Sequence, residues 1–166
     1  MIIAINGRDL IGWILDETIE IENHMHNNEK WIGASAVEDS LTGYQCISGN
    51  GAFGSEVLLL DTANTPIESG KLYFDLHRIM PIAVSNATLY LLRIVWGTGT
   101  FAAAVSARQY TTVPCIGTGV GANISASASN VICKRIASGT KVWAQVKNAT
   151  NLATINFIIG LHEYTK

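Results

Sequence analysis

The stretch Lys71-Leu-Tyr-Phe-Asp-Leu-His77 decides the fold, because apolar and polar residues alternate along it one by one. Successive side chains of an extended chain point to opposite faces, so Leu72, Phe74 and Leu76 would share one face and the polar residues the other. Two later stretches carry a similar alternation: Lys141–Lys147 and Ala153–Ile159. This period of two predicts half-buried β-strands in all three places.

Two other runs, Glu56–Asp61 and Thr88–Trp96, are apolar on both faces, as in strands that are covered on both sides. Turns rich in glycine, asparagine and serine separate the runs. The alanine-rich stretch Phe101–Gln109 instead favours a short helix. We therefore expect an all-β chain whose residues 1–166 form a single antiparallel β-sandwich domain of the jelly-roll kind, with one short helix near 101–109.

Composition argues against several classes of protein. The 166 residues are 48% hydrophobic and only 14% charged, which is opposite to the pattern of a disordered chain. No run approaches the roughly 20 apolar residues of a membrane-spanning helix, and the N-terminus lacks the pattern of a signal peptide. The C-terminal half has a single adjacent basic pair, Lys134-Arg135, so we expect no nucleic acid and no membrane as partner. A surface so poor in charge suggests that a protein partner covers part of it.

The net charge of −2 conceals two halves of opposite charge. Residues 1–75 hold twelve acidic and three basic residues, a balance of −9, whereas residues 76–166 hold one acidic and eight basic residues, a balance of +7. Attraction between such halves, within a subunit or between subunits, explains the asymmetry more simply than a nucleic-acid surface does.

The stretch Glu20-Ile-Glu-Asn-His-Met-His26 is the first candidate site. On an extended chain Glu22, His24 and His26 share a face, and their carboxylate and imidazole groups suit zinc, manganese or iron. The His-x-His pattern resembles the start of the metal-binding motif of cupins, which are themselves jelly rolls. A threonine, however, stands where cupins have a glycine, and Glu29 comes one residue too early. We therefore expect a solvated strand face here, with no metal and no other cofactor.

Further candidates lie elsewhere in the chain. His77 shares a predicted strand face with Asp75, and a carboxylate can orient an imidazole for base catalysis. No serine or cysteine nucleophile can be placed beside this pair, so we expect a structural hydrogen bond or an interface contact, and not an enzyme. We expect His162 at a strand edge near the C-terminus. Three aromatic residues complete the candidates for ligand, core or interface contact, namely Trp31 after a polar loop, Trp143 and Phe157.

The C-terminal part of the chain resembles a known group of folds. Ser138–Val146 followed by Ala153–Leu161 resembles the last strands of the C1q and tumour-necrosis-factor jelly rolls. In those proteins a turn of small residues leads into a Val-Trp strand, and a last aromatic strand ends near a glycine. This resemblance implies a homotrimer whose last strand packs near the threefold axis.

A second resemblance covers more of the chain. It is carried by four segments in this order: His24–Trp31, Asp61–Pro66, Phe74–Ile79 and Gly160–Tyr164. Together they resemble uncharacterised small proteins of tailed-phage and environmental virus genomes. This resemblance implies a virion component such as a capsid decoration, fibre-head or tail protein, whose partners would be further copies of itself, capsid protein or a host-surface glycan. It carries no catalytic residue across.

The sequence leaves three functions open. The first, which we expect, is a structural or adhesive virion protein that acts as a homotrimer; low charge, absent catalytic motifs and opposed charge halves suit it. The second is a carbohydrate-binding module of the lectin-like type, which would use Trp31. The third is a cupin-like metal-dependent enzyme, which would use His24 and His26.

Overall fold

The computed structural model describes residues 4–5, 8–9, 29–34, 42–61, 67–117 and 128–165, and most of these lie in β-strands. One short helix, α1 at Phe101–Ser106, interrupts them. The strands are β1 Ala4–Ile5, β2 Arg8–Asp9, β3 Lys30–Ile32, β4 Tyr44–Ile47, β5 Gly49–Asn50, β6 Val57–Leu60, β7 Tyr73–Val84, β8 Leu89–Gly97, β9 Tyr110–Ile116, β10 Ser129–Asn130, β11 Ile136–Ala137, β12 Lys141–Asn148 and β13 Thr154–Tyr164. The predicted all-β class and the predicted helix near 101–109 are confirmed.

The strands form two main sheets. The first sheet has the order β10-β7-β13-β3, with β11 also paired to β7 and β4 also paired to β13. The second sheet has the order β5-β12-β8-β9, with β6 also paired to β12. The long pairings, β7 with β13 and β8 with both β9 and β12, are antiparallel, while the two-residue β5 runs parallel to β12. This arrangement confirms the predicted sandwich.

A hydrophobic core lies between the two sheets and draws on both of them. Alternate residues of β12 and β13 face it: Val142, Ala144, Val146, Ile155, Phe157, Ile159 and Leu161. Tyr44 of the first sheet donates its hydroxyl to the carbonyl oxygen of Leu59 in the second sheet at 3.0 Å, and burial raises the pKa of Tyr44 to about 12. Because the core takes every second side chain, the residues between them are displayed on the two outer faces.

The predicted burial is wrong at two leucines. β7 begins only at Tyr73, and the side chain of Leu72 is 57% exposed, although the backbone N–H of Leu72 still donates to the carbonyl of Tyr164 at 2.8 Å. Leu58, in a run predicted to be covered on both faces, is 44% exposed. In both cases the apolar pattern extends beyond the area that another layer covers.

The helix α1 covers one end of the second sheet's outer face. Thr100 begins it by accepting a hydrogen bond from the N–H of Ala103 at 3.2 Å. Its residue Ala104 packs with Val95 and Trp143 in a second buried cluster, and the ring of Phe101 meets Trp143 edge-on at 6.1 Å between centroids. Within the described ranges, no helix is long and apolar enough to span a membrane.

Candidate functional site

On the outer face of the first sheet, side chains of β7 and β3 meet side chains of β13. β13 lies between β7 and β3, so side chains from both neighbours can reach it. His162 of β13 is the direct cross-strand partner of Asp75 of β7. Leu161 is the partner of Lys30 of β3, and Glu29 therefore lies one step further along, beside His162.

A β-bulge places His77 at the same point. On β7 the partner of Gly160 is Arg78, but the partner of the next residue, Leu161, is Leu76. His77 is thus an extra residue in the ladder, and such a residue re-aims its side chain relative to a regular strand. The bulge brings the His77 ring against the ring of His162, with 4.3 Å between the two centroids.

We call the side chains of Glu29, Asp75, His77, His162 and Tyr164 the ionic cluster. His77 Nδ1 lies 3.1 Å from Glu29 Oε1. His162 Nδ1 lies 3.4 Å from Asp75 Oδ1. The other carboxylate oxygen of Asp75 accepts a hydrogen bond from the hydroxyl of Tyr164 at 2.8 Å. Each of the two stacked imidazoles therefore faces a carboxylate of its own.

The ionic cluster is largely buried. His162 is only 3% exposed and lies on a strand with neighbours on both sides, so its predicted place at a strand edge is wrong. Burial and the hydrogen bond to Asp75 hold the pKa of Tyr164 well above its usual range, which keeps the phenol protonated as a donor. Arg78 adds a positive charge to the cluster, with its Nε 3.3 Å from Glu29 Oε2.

Gly160 makes room for this arrangement. A Cβ atom added at Gly160 would collide with the carboxylate end of Glu29, so the Glu29 side chain lies directly over the glycine. Glycine in the interior of a strand is intrinsically unfavourable by about 0.5–1 kcal/mol, and a close approach of this kind is a reason for it to stand there.

We expect Gly160→Ala to lower the free energy of unfolding by about 1–3 kcal/mol, because the new methyl group displaces Glu29 from His77 and Arg78. In a Glu29→Ala background the same change should be neutral or slightly stabilising. Urea denaturation of the four proteins gives the coupling energy. Gly99→Ala is the matched control, since an added Cβ there meets nothing within 4 Å. Equal costs in both backgrounds would disprove the contact.

The cluster has no activated sulfur nucleophile beside it. Cys133 lies close, with its Sγ 3.3 Å from the backbone nitrogen of Leu76, but burial raises its pKa to about 11. Burial likewise raises the pKa of Cys46 to about 12 and that of Cys115 to about 11. All three thiols are therefore protonated at neutral pH, and it is the thiolate that reacts.

The predicted candidates fall in several places. Glu22, His24 and His26 lie outside the described residues, and among those that are described no group of three or more His, Cys, Asp and Glu side chains is arranged to hold a metal. Trp31 is half-buried on β3, paired with Gly160 next to the ionic cluster. The other two aromatic candidates are buried: Phe157 in the core and Trp143 beneath α1.

A second cluster, which we call the arginine site, lies midway along the outer face of the second sheet. It consists of Arg93 on β8 and the rings of Phe53 and Tyr110. The guanidinium carbon of Arg93 is 3.8 Å from the centroid of Phe53 and 4.7 Å from that of Tyr110. These are cation–π contacts, which hold the guanidinium in one place.

The same face ends in a group of apolar residues, which we call the apolar end: the exposed Leu89, Pro114 and Ile116 and the half-buried Leu91. Leu89 pairs with Ile116 across β8 and β9, and Leu91 pairs with Pro114. Leu89 is 51% exposed and Ile116 is 67% exposed, whereas α1 covers the opposite end of the face.

The chain matches no protein-family model, no curated protein and no solved structure. Three segments of the chain meet in the ionic cluster: the residues before β3 supply Glu29, β7 supplies Asp75 and His77, and β13 supplies His162 and Tyr164. The arginine site was missed from the sequence, because its members are single residues in three separate segments.

Proposed function

We propose that this protein is a structural or adhesive component of a virus particle and works as a homo-oligomer. The observation that carries the self-association is the apolar end, where Leu89 and Ile116 are exposed side by side on one sheet face. Exposed apolar side chains that lie side by side are a common feature of protein interfaces. The resemblance of four sequence segments to virus proteins supports the assignment to a virion.

The charge distribution supports a second copy of the chain as the partner. Lys147 lies on the same outer face as the apolar end, paired with Leu91. The C-terminal half that forms this face carries a balance of +7, and the N-terminal half carries −9. An apolar centre with complementary charges around it is the usual composition of a specific interface. The C1q-like resemblance supports a trimer in the number of subunits alone, because it would put β13 of the first sheet at the threefold axis, whereas the apolar end puts the contact on the second sheet.

Light scattering coupled to size exclusion tests the self-association. We expect a species several times heavier than the 17.9 kDa chain at low and at high salt, because salt weakens the contacts of the charged rim more than those of the apolar centre.

The double variant Leu89→Lys, Ile116→Lys should be a folded monomer. Leu152→Lys is the control, since Leu152 is 68% exposed but lies in the turn between β12 and β13. A monomeric wild-type protein at micromolar concentration in both buffers would refute the oligomer.

The virion assignment has a separate test. Genes for a terminase, a portal or tail proteins beside the gene for this chain would support it, and neighbours that encode only metabolic enzymes would count against it. Because this test does not involve assembly, it distinguishes a virion oligomer from an oligomer of another kind.

A further inference from the structure

Arg93 occupies an unusual position for an arginine. It lies in the middle of the second sheet's outer face, with Gln145 of β12 on one side and Thr112 of β9 on the other. Its side chain is half-buried, and its guanidinium rests against the rings of Phe53 and Tyr110. Such packing restricts the side chain before any ligand arrives, which lowers the entropy lost on binding.

The donors of Arg93 are unused by the part of the chain that the structure describes. Arg93 Nε is buried without a hydrogen-bond partner, and no carboxylate lies within ion-pair distance of the guanidinium among the described residues. Two other basic residues behave differently, since Arg78 pairs with Glu29 and Lys30 pairs with Glu163. A guanidinium without an acidic partner is available to the oxyanion of a ligand, with which it forms charge-assisted hydrogen bonds.

The surrounding charge favours an anion. Lys147 lies on the same face, one pair further along β12 than Gln145, and is therefore a diagonal neighbour of Arg93. Glu56 precedes β6 at the margin of the sheet and makes no ion pair with Arg93 or Lys147 within the described residues. The middle of this face thus carries two positive charges and no acidic partner.

We propose that the arginine site binds an oxyanion group of a ligand, a carboxylate or sulfate such as acidic sugars carry. The terminal nitrogens of Arg93 bind the oxyanion, because Nε is buried and out of a ligand's reach. Lys147 adds the second positive charge, and the exposed Thr112 offers a hydroxyl beside the ligand. This binding does not require self-association, and it would give the proposed adhesive role a chemical basis.

Calorimetric titration with three probes tests the proposal: sodium sulfate, N-acetylneuraminic acid and the methyl ester of that sugar. We expect the free acid and sulfate to bind and the neutral ester to bind at least about tenfold more weakly. Arg93→Gln should reduce binding of the free acid by at least about tenfold, while Arg93→Lys, which keeps the charge but loses the planar fork, should reduce it less.

Arg108→Gln is the matched control, because Arg108 is an exposed arginine just beyond α1. The Arg108→Gln variant should bind the free acid as tightly as the wild type does. If Arg93→Gln fails to fold, the comparison of acid with ester on the wild-type protein and on Arg93→Lys still decides the question. Equal binding of acid and ester, or binding that Arg93→Gln leaves unchanged, would overturn the proposal. The proposal would also be overturned if the wild type bound no probe and Arg93→Gln lost self-association. Arg93 would then be a contact between subunits.

Discussion

Replacing Phe157 by alanine is expected to lower the free energy of unfolding by about 3–5 kcal/mol. Phe157 is fully buried on β13, packs against the ring of Tyr44 with 6.0 Å between centroids, and lies where the ladder with β7 shifts its register. The lost side chain leaves a cavity that the surrounding strands cannot fill, since both sheets contribute to the same core. For a chain of this length the melting temperature should fall by roughly 6–20 °C.

Phe157→Leu is the matched control for this experiment. Leucine keeps most of the apolar volume, so its cost should be about 1–1.5 kcal/mol. Leu152→Ala supplies a surface reference, because Leu152 is 68% exposed and its truncation should change stability by less than about 0.5 kcal/mol. Urea denaturation of the three variants gives the order. A cost for Phe157→Ala as small as that for Leu152→Ala would contradict the central position of β13.

The alternation in the sequence predicted the strands well because burial on one face imposes a period of two. In Lys141–Lys147 the residues Val142, Ala144 and Val146 are all buried in the core, as the pattern requires. The same argument fails at Leu72, since an apolar residue at the end of a strand has the right phase but no opposite layer to cover it. Pattern predicts which face a residue is on, whereas the extent of the neighbouring sheet decides whether that face is buried there.

The ionic cluster could be predicted only in part, for a reason of register. The sequence predicts Asp75 and His77 as polar residues on one strand face and His162 as a histidine near the C-terminus. Their contacts depend on the bulge at His77, which cannot be predicted from the local sequence, and on the close approach of Glu29 to Gly160. A one-residue change of register would send these side chains to the opposite face, so their meeting follows from the whole sheet.

The two outer faces of the sandwich have different chemistry. On the first sheet the carboxylates have partners, since Glu29 contacts His77 and Arg78 and Asp75 contacts His162 and Tyr164. On the second sheet Arg93 and Lys147 have no acidic partner in the described part of the chain, and the apolar end is exposed beside them. Buried polar groups with partners stabilise a fold, whereas unpaired charges next to exposed apolar groups suit binding. Both of the binding surfaces that we propose therefore lie on the second sheet.

Trp143→Ala tests how that face is built, and its expected cost is also about 3–5 kcal/mol. Trp143 is 7% exposed, lies on the outer face of β12 and is covered by α1, where the ring of Phe101 meets it edge-on. Its loss should release α1 from the sheet, so the amide of Ala104, which donates to the carbonyl of Thr100 at 3.1 Å, should exchange its hydrogen much faster. The exchange of the core amides of β13 should become faster only to the extent that the whole protein is destabilised.

Trp143→Phe, which keeps an aromatic ring under the helix, is the control and should retain most of the protection from exchange at Ala104. If Trp143→Ala left both the melting temperature and the exchange of α1 unchanged, the helix would be held by the strands that flank it and the face would not depend on Trp143.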